Sequence, residues 1–250
     1  MTYVGKRATV MGLGTRAGGV GVARYLAERG AVVTVTDLRS EEALAESLAE
    51  LADLPIRFVL GRHDEADFLP DGSDLVVRNP GVPRRAPLLA TARAAGVPVE
   101  MEMSLFLQAC PAPVIGITGT KGKTSTASLC AEMLRVWDDT TILAGNMGVT
   151  ALGQISRITP ETPVVVELSS WQLESLIEHE LSPRIAVLTN ISEDHLDHYD
   201  GFADYAATKR AIARFQTPGD TFIVNADDAE SWRTASETAA TVVPLSLIHI

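Results

Sequence analysis

The sequence predicts two successive α/β domains, each built on a parallel sheet, and three observations predict them. Residues 114–126, Val-Ile-Gly-Ile-Thr-Gly-Thr-Lys-Gly-Lys-Thr-Ser-Thr, run from an apolar strand through a glycine-rich turn into a helical pattern. Residues 8–17 repeat that order around Gly12-Leu-Gly14-Thr15-Arg-Ala17, a G-x-G-x-x-A spacing. Around these turns, short apolar runs alternate with helical stretches, as in parallel strands joined by crossover helices. The fold class is α/β, with a Rossmann-like N-terminal domain over residues 1–109 followed by a P-loop-type parallel-sheet domain over 110–250.

In the first domain, residues 8–11 form the opening strand, 12–17 the turn, 20–29 a helix closed by Gly30, and 31–36 a second strand with Asp37 at its tip. Such a turn brings a diphosphate onto a helix N-terminus and a ribose near the acidic tip. A helix rich in Ala, Leu and Glu covers 41–52, and strands cover 57–60 and 74–78. The turn Asn79-Pro-Gly81-Val-Pro83, a helix at 87–96 and a strand at 97–100 complete the domain. The prolines of Cys110-Pro-Ala-Pro113 mark the boundary.

The second domain starts with the strand that carries Val114, Ile115 and Ile117, and a helical run covers 127–137. Between them, backbone N–H groups of Gly119, Thr120, Lys121, Gly122 and Ser125 can surround the phosphates of a nucleoside triphosphate such as ATP. Lys123 can reach the outer phosphates and Thr124 can ligate Mg²⁺. The loop is shorter than G-x-x-x-x-G-K-[ST], because Ile117 stands five residues before Gly122. The domain therefore reads as a P-loop-type ATPase domain. Strands at 163–168, 184–189 and 221–224 are continuous apolar runs, as expected of strands buried on both faces, and they end near Glu167, Asn190 and Asn225. Glu167 at such a tip can share Mg²⁺ with Thr124.

Asn190-Ile-Ser-Glu-Asp-His195-Leu-Asp-His198-Tyr-Asp200 concentrates carboxylates and two histidines after a buried strand. It reads as a solvated acidic turn, as a zinc pair formed by His195 and His198, or as a place where His195 meets Mg²⁺ or substrate; the phosphate loop favours the last. Lys209, in Tyr205-Ala-Ala-Thr-Lys-Arg-Ala-Ile, reads as a solvated lysine on an amphipathic helix.

Composition sets further limits. A formal net charge of −11 argues against a nucleic-acid partner. No apolar run is long enough for membrane insertion and residues 1–7 carry no signal-peptide pattern, so a cytoplasmic location is expected. Cys110 and Cys130 read as buried free thiols. The last six residues, Leu245-Ser-Leu-Ile-His-Ile250, match the in-frame translation of a transposase sequencing adapter. Native sequence is therefore expected to end near Pro244.

The pieces Gly119–Thr124, Gly145-Asn146-Met-Gly148, Glu167-Leu-Ser-Ser-Trp-Gln-Leu-Glu174, 190–197 and the helix around Lys209 resemble, in the same order, the Mur ligase family of peptidoglycan synthesis. The Glu167–Glu174 run and the start ending in Thr36-Asp37 resemble its branch that adds D-glutamate to UDP-N-acetylmuramoyl-L-alanine. The resemblance implies a monomeric three-domain ligase, of which this chain holds two domains and which does not act without the third. It implies ATP bound by Gly119 to Ser125 and Asn190, and a UDP substrate bound by Gly14, Thr15, Asp37, Arg39, Asn79, Asn146 and His195. It also implies catalytic Lys123, Glu167, His195 and Lys209, with metal at Thr124, Glu167, His195 and a carbamylated Lys209. Three departures stand out: Arg16 with Gly18-Gly19 enlarges the first turn, Asn79 replaces a frequent serine, and the chain stops early.

Competing readings explain less. A nicotinamide oxidoreductase built on the first turn leaves Gly119 to Thr124 without a role. A folate polyglutamate ligase gives no reason for the first domain, and a non-enzymatic nucleotide-binding module describes only what these two domains retain.

Overall fold

The computed structural model describes residues 2–14, 17–145 and 150–249, with Ala17 and His249 described by backbone alone. The chain forms two compact units, Met1–Leu105 with Gly148–Gly153, and Phe106–Met147 with Gln154–Ile250.

The first unit holds β1 (Arg7–Met11), β2 (Val32–Asp37), β3 (Arg57–Leu60), β4 (Leu75–Arg78) and β5 (Val99–Glu100). They pair in the order β3-β2-β1-β4-β5, every pairing parallel. The connections from β1 and β4 leave in opposite directions, so a crevice opens between their C-terminal tips. Met11, Phe68, Val76, Leu89, Ala92, Val97 and Val99 form a core cluster beside β1.

Helix α1 (Ala17–Glu28) begins three residues before the expected position, so Gly18 and Gly19 are helical and do not enlarge the turn. A Cβ on Gly19 would stand 2.1 Å from the Leu13 carbonyl oxygen; the glycine lets the first helical turn lie directly on the loop. The expected 41–52 helix shrinks to a 3₁₀ turn followed by α2 (Ala45–Ala49). The chain turns away where the Arg24 guanidinium bonds the Glu50 carbonyl and the Asp53 carboxylate. After α3 (Pro87–Ala94) comes α4 (Glu102–Ala109), which the sequence reading missed. Met103, Ser104, Leu105 and Phe106 are all buried, so α4 presents no polar stripe for a periodicity to show.

The second unit orders β6 (Val114–Thr118), β7 (Ile142–Gly145), β8 (Val164–Glu167), β9 (Ile185–Leu188), β10 (Thr221–Asn225) and β11 (Thr241–Leu245) as β11-β10-β9-β6-β8-β7, again all parallel. Here β6 and β9 flank the reversal of strand order. Register sets Ile117 beside Glu167 and Thr118 beside Leu188, which brings three strand tips together. Val164, Val165 and Val166 are fully buried, as the apolar run requires.

Helix α5 (Lys123–Arg135) starts at Lys123 itself, four residues before the expected run, and packs Ala127 and Ala131 against Ile117, Val165 and Val187. A short α6 (Ala151–Gln154) follows β7 in the chain but belongs, up to Gly153, to the first unit. Neither β7 nor α7 (Ser170–Glu178) was anticipated, although Ser169 and Gln172 form a capping box that announces α7 in the sequence. Helices α8 (Phe202–Arg210) and α9 (Ala229–Trp232) complete the unit. Cys110 and Cys130 are free but only partly buried, a correction to the expected buried thiols; Cys130 lies at the edge of the α5 core contact. Among the described residues no helix is long and apolar enough to cross a membrane.

Candidate nucleotide site and first-unit cleft

The loop between β6 and α5 is held from behind by the tip of β9. The Thr120 N–H donates to the Asn190 carbonyl at 2.8 Å, and the Lys121 N–H donates to Asn190 Oδ1 at 2.9 Å. Asn190 Nδ2 returns a bond to the Lys121 carbonyl at 3.0 Å, and Thr189 Oγ1 adds another at 2.7 Å. Asn190 therefore shapes the loop through its backbone. A Cβ on Gly119 would stand 1.9 Å from Thr189 Oγ1, so only glycine permits this approach.

Lys123 Nζ donates to the Thr120 carbonyl at 2.9 Å, folded back over its own loop. Burial lowers its pKa, against the attraction of Glu167 and Asp194. Thr124 Oγ1 donates to Glu167 Oε2 at 2.8 Å, a pair of oxygens that suits a hard divalent cation. Thr124 and Ser125 are exposed residues and Glu167 is buried, so the pair lies where a buried carboxylate meets the surface of the loop.

Lys209 overturns its sequence reading. It is 2% exposed, inside the protein, with Nζ 3.4 Å from Thr118 Oγ1 at the tip of β6. Burial drives its pKa down to about 7, Lys123 pushes the same way, and Asp194 and Glu167 oppose them. Its helix is buried on a face carrying Tyr205, Ala206, Thr208 and Lys209, which is not the apolar stripe of an ordinary amphipathic helix.

His195 adopts φ 51°, unusual for a residue with a Cβ, and its ring lies 4.5 Å from that of Trp171. His198 bonds Glu174 Oε1 at 2.9 Å through Nε2, which removes it from any zinc pair with His195. Among the described residues no group of three or more His, Cys, Asp or Glu side chains could hold a metal ion. Trp171 and Tyr205 belong to this neighbourhood and were missed. Tyr205 precedes Lys209 by one helical turn, the spacing that could have flagged it.

In the first unit a cleft of about 470 Å³ opens at the tips of β1, β2 and β4, lined by Gly12, Asp37, Arg39, His63, Asn79 and Val82 among others. Asp37 is occupied by the protein: it accepts the N–H groups of Gly14 at 3.2 Å and Arg39 at 3.0 Å, and it pairs with the Arg39 guanidinium. Burial raises its pKa, but these partners prevail and the carboxyl sits below its ordinary value. Asn79 Oδ1 accepts the Gly81 N–H at 3.0 Å, shaping the turn. His63, absent from the sequence reading, bonds Thr36 Oγ1 through Nδ1 at 2.7 Å. Thr15, Arg16, Asn146 and Gly148 lie outside the described residues.

Residues 117–247 match the Mur ligase middle domain, and residues 6–100 match the Mur ligase MurD-like N-terminal domain. The UDP-N-acetylmuramoylalanine–D-glutamate ligase of Roseiflexus sp. (strain RS-1) is 53% identical over 227 residues, covering 91% of this chain and 48% of that protein. The ligase of the same name from Trichlorobacter lovleyi is 45% identical over 244 residues, 98% of this chain and 53% of that one. The chain spans about half the length of these curated relatives. Among solved structures, the UDP-N-acetylmuramate:L-alanyl-γ-D-glutamyl-meso-diaminopimelate ligase from Neisseria meningitides shares the fold, with TM-score 0.64 and 20% identity over 96% of this chain and 78% of that one. The UDP-N-acetylmuramate-alanine ligase from Thermotoga maritima gives TM-score 0.52 and 25% identity over 95% of this chain and 53% of that one.

Proposed function

The chain belongs to the Mur ligase family, and from that premise we propose that it takes part in ATP-dependent amide-bond formation, joining D-glutamate to the carboxylate of UDP-N-acetylmuramoyl-L-alanine. On this reading it acts in the cytoplasm, as a monomer, in building peptidoglycan. The observation that carries the proposal is the convergence of Lys123, Thr124 and Glu167 at the tips of β6 and β8, with Lys209 buried beside Thr118.

A carboxylate resists attack by an amine because oxide would have to leave. Transfer of the γ-phosphoryl group of ATP to that carboxylate gives an acyl phosphate and ADP; the amine of D-glutamate then forms the amide bond as phosphate leaves. The first step brings anion to anion, so positive groups must face the charge where it develops. Lys123 would turn from the Thr120 carbonyl to the outer phosphates, and the loop N–H groups would hold the remaining oxygens. Thr124 and Glu167 would hold Mg²⁺, which supplies charge neutralisation at the phosphates.

With a pKa near 7, Lys209 spends much of its time as the free amine at neutral pH. That form can add CO₂ and release a proton to become a carbamate. The carbamate would put an anion in place of the ammonium beside Thr118, available to a second metal. In the first unit, the apolar walls and few polar groups of the cleft suit a nucleoside, with Gly12 of the glycine turn in its lining for the diphosphate to approach.

Calorimetry with MgATP on the chain and on Lys123→Ala tests the central part of the reading. The substitution should weaken binding strongly; equal affinities would remove Lys123 from the site. Gly14→Val should block binding of the UDP-sugar while sparing ATP, and D-glutamate-dependent release of ADP tests the complete reaction.

A further inference from the structure

Resting on the nucleotide reading above, we propose that the Tyr205 hydroxyl is a positioning group for the phosphate loop, holding Thr120 in the conformation that receives a nucleoside triphosphate. Tyr205 is 1% exposed on α8 and Thr120 is 3% exposed in the loop. Three polar atoms surround Thr120 Oγ1: the Ser192 nitrogen at 3.0 Å, the Ser192 carbonyl oxygen at 3.1 Å and the Tyr205 hydroxyl at 3.1 Å.

Proton counting orients these bonds. The threonine hydroxyl owns one proton, and a carbonyl can only accept, so that proton goes to Ser192. The Ser192 N–H donates to Thr120 Oγ1. Tyr205 must therefore donate as well, and all three contacts are satisfied in this arrangement alone.

Thr120 is also tied through its backbone. Its N–H goes to Asn190, and its carbonyl accepts from Lys123 Nζ. When Lys123 turns to the phosphates, the carbonyl loses its partner. What then keeps Thr120 in place is the N–H bond and the side-chain clamp between Ser192 and Tyr205. The hydroxyl of Tyr205 is thus most needed in the nucleotide-bound state, which separates a positioning role from a merely structural one.

The ring of Tyr205 has other contacts: Lys209 Nζ lies 5.3 Å from its centroid and the His195 ring 6.3 Å away. Tyr205→Phe keeps the ring and removes only the donor. The experiment measures MgATP and UDP binding by calorimetry, together with thermal midpoints, for the wild-type chain, Tyr205→Phe, Thr120→Val, the double variant, and a chain carrying 4-aminophenylalanine at position 205.

Tyr205→Phe should weaken MgATP binding about three- to tenfold, the size of one net hydrogen bond, and leave UDP binding unchanged. The double variant should bind no more weakly than Thr120→Val, because both changes cut one contact. The para donor of 4-aminophenylalanine should restore most of the lost affinity, and it carries the test if the phenylalanine chain does not fold. Wild-type MgATP affinity in Tyr205→Phe overturns the proposal alone. So do additive losses in the double variant, equal loss of UDP binding, or no rescue by the para donor. Failure of the wild-type chain to bind MgATP would overturn the nucleotide reading, and this proposal with it.

Discussion

Thr124 Oγ1 donates to Glu167 Oε2, joining the first turn of α5 to the last residue of β8 at 2.8 Å. A helix and a strand thus present one oxygen each to the same point. Glu167→Gln keeps the shape of the side chain but removes its charge. MgATP affinity should fall by roughly ten- to a hundredfold, and ATP affinity in excess chelator should change little. Equal losses with and without Mg²⁺ would exclude Glu167 from the metal.

Lys209 predicts a rise of stability with pH. Its folded pKa is about 7, whereas an unfolded lysine titrates near 10.4. Between those values the unfolded chain carries a proton that the folded chain has released, so stability increases from about pH 7 to about pH 10. Below the window both forms are protonated and the destabilisation is complete. Lys209→Met should raise the thermal midpoint most at pH 6 and least near pH 10. A constant difference across that range would assign the pH dependence elsewhere.

Glu102 predicts the opposite slope at lower pH. Burial raises its pKa to about 7, although it accepts the Leu152 and Ala151 N–H groups. Between its ordinary value of 4.5 and about 7 the folded chain holds a proton that the unfolded chain lacks. Stability from this group is therefore greatest below the window and declines as pH rises through it. Glu102→Gln should flatten urea midpoints across this interval; an unaltered slope would remove Glu102 from the effect.

Gly19 and Gly18 should respond differently to alanine. The added Cβ meets the Leu13 carbonyl at 2.1 Å in the first case, but nothing nearer than 3.8 Å in the second. Gly19→Ala should cost about 2–3 kcal/mol in denaturant unfolding and weaken UDP binding. Gly18→Ala should stay within about 1 kcal/mol of wild type and can be stabilising through helix propensity. Similar behaviour in the two variants would contradict the packing described.

The strands at the site were legible because a buried parallel strand writes itself as an apolar run, and the glycines around Lys123 mark where such a run must turn. Lys209 was not legible from its own helix. Its burial follows from the stacking of α8 near the β6 tip, a long-range fact that no local pattern encodes. Asp37 illustrates a subtler gap: the motif located the carboxylate, but only the structure shows Arg39 and Gly14 already bound to it. Similarly, α4 escaped because four consecutive buried residues, Met103 to Phe106, leave no apolar period to read, whereas the signal for α7 was present in Ser169 and Gln172.

The first unit includes residues that lie more than forty positions beyond the rest of it: after Leu105 the chain builds β6, α5 and β7 before it supplies 150–153. Glu102 waits on that delay, because its partners are the N–H groups of Ala151 and Leu152. During synthesis at roughly 5–20 residues per second, several seconds separate the emergence of the carboxylate from that of its donors. The N-terminal unit therefore cannot be completed in the order in which it is translated. For those seconds Glu102 is an acid without its donors, and a ribosome that stalls between codons 105 and 150 leaves the first unit unfinished, however far its own sheet has folded.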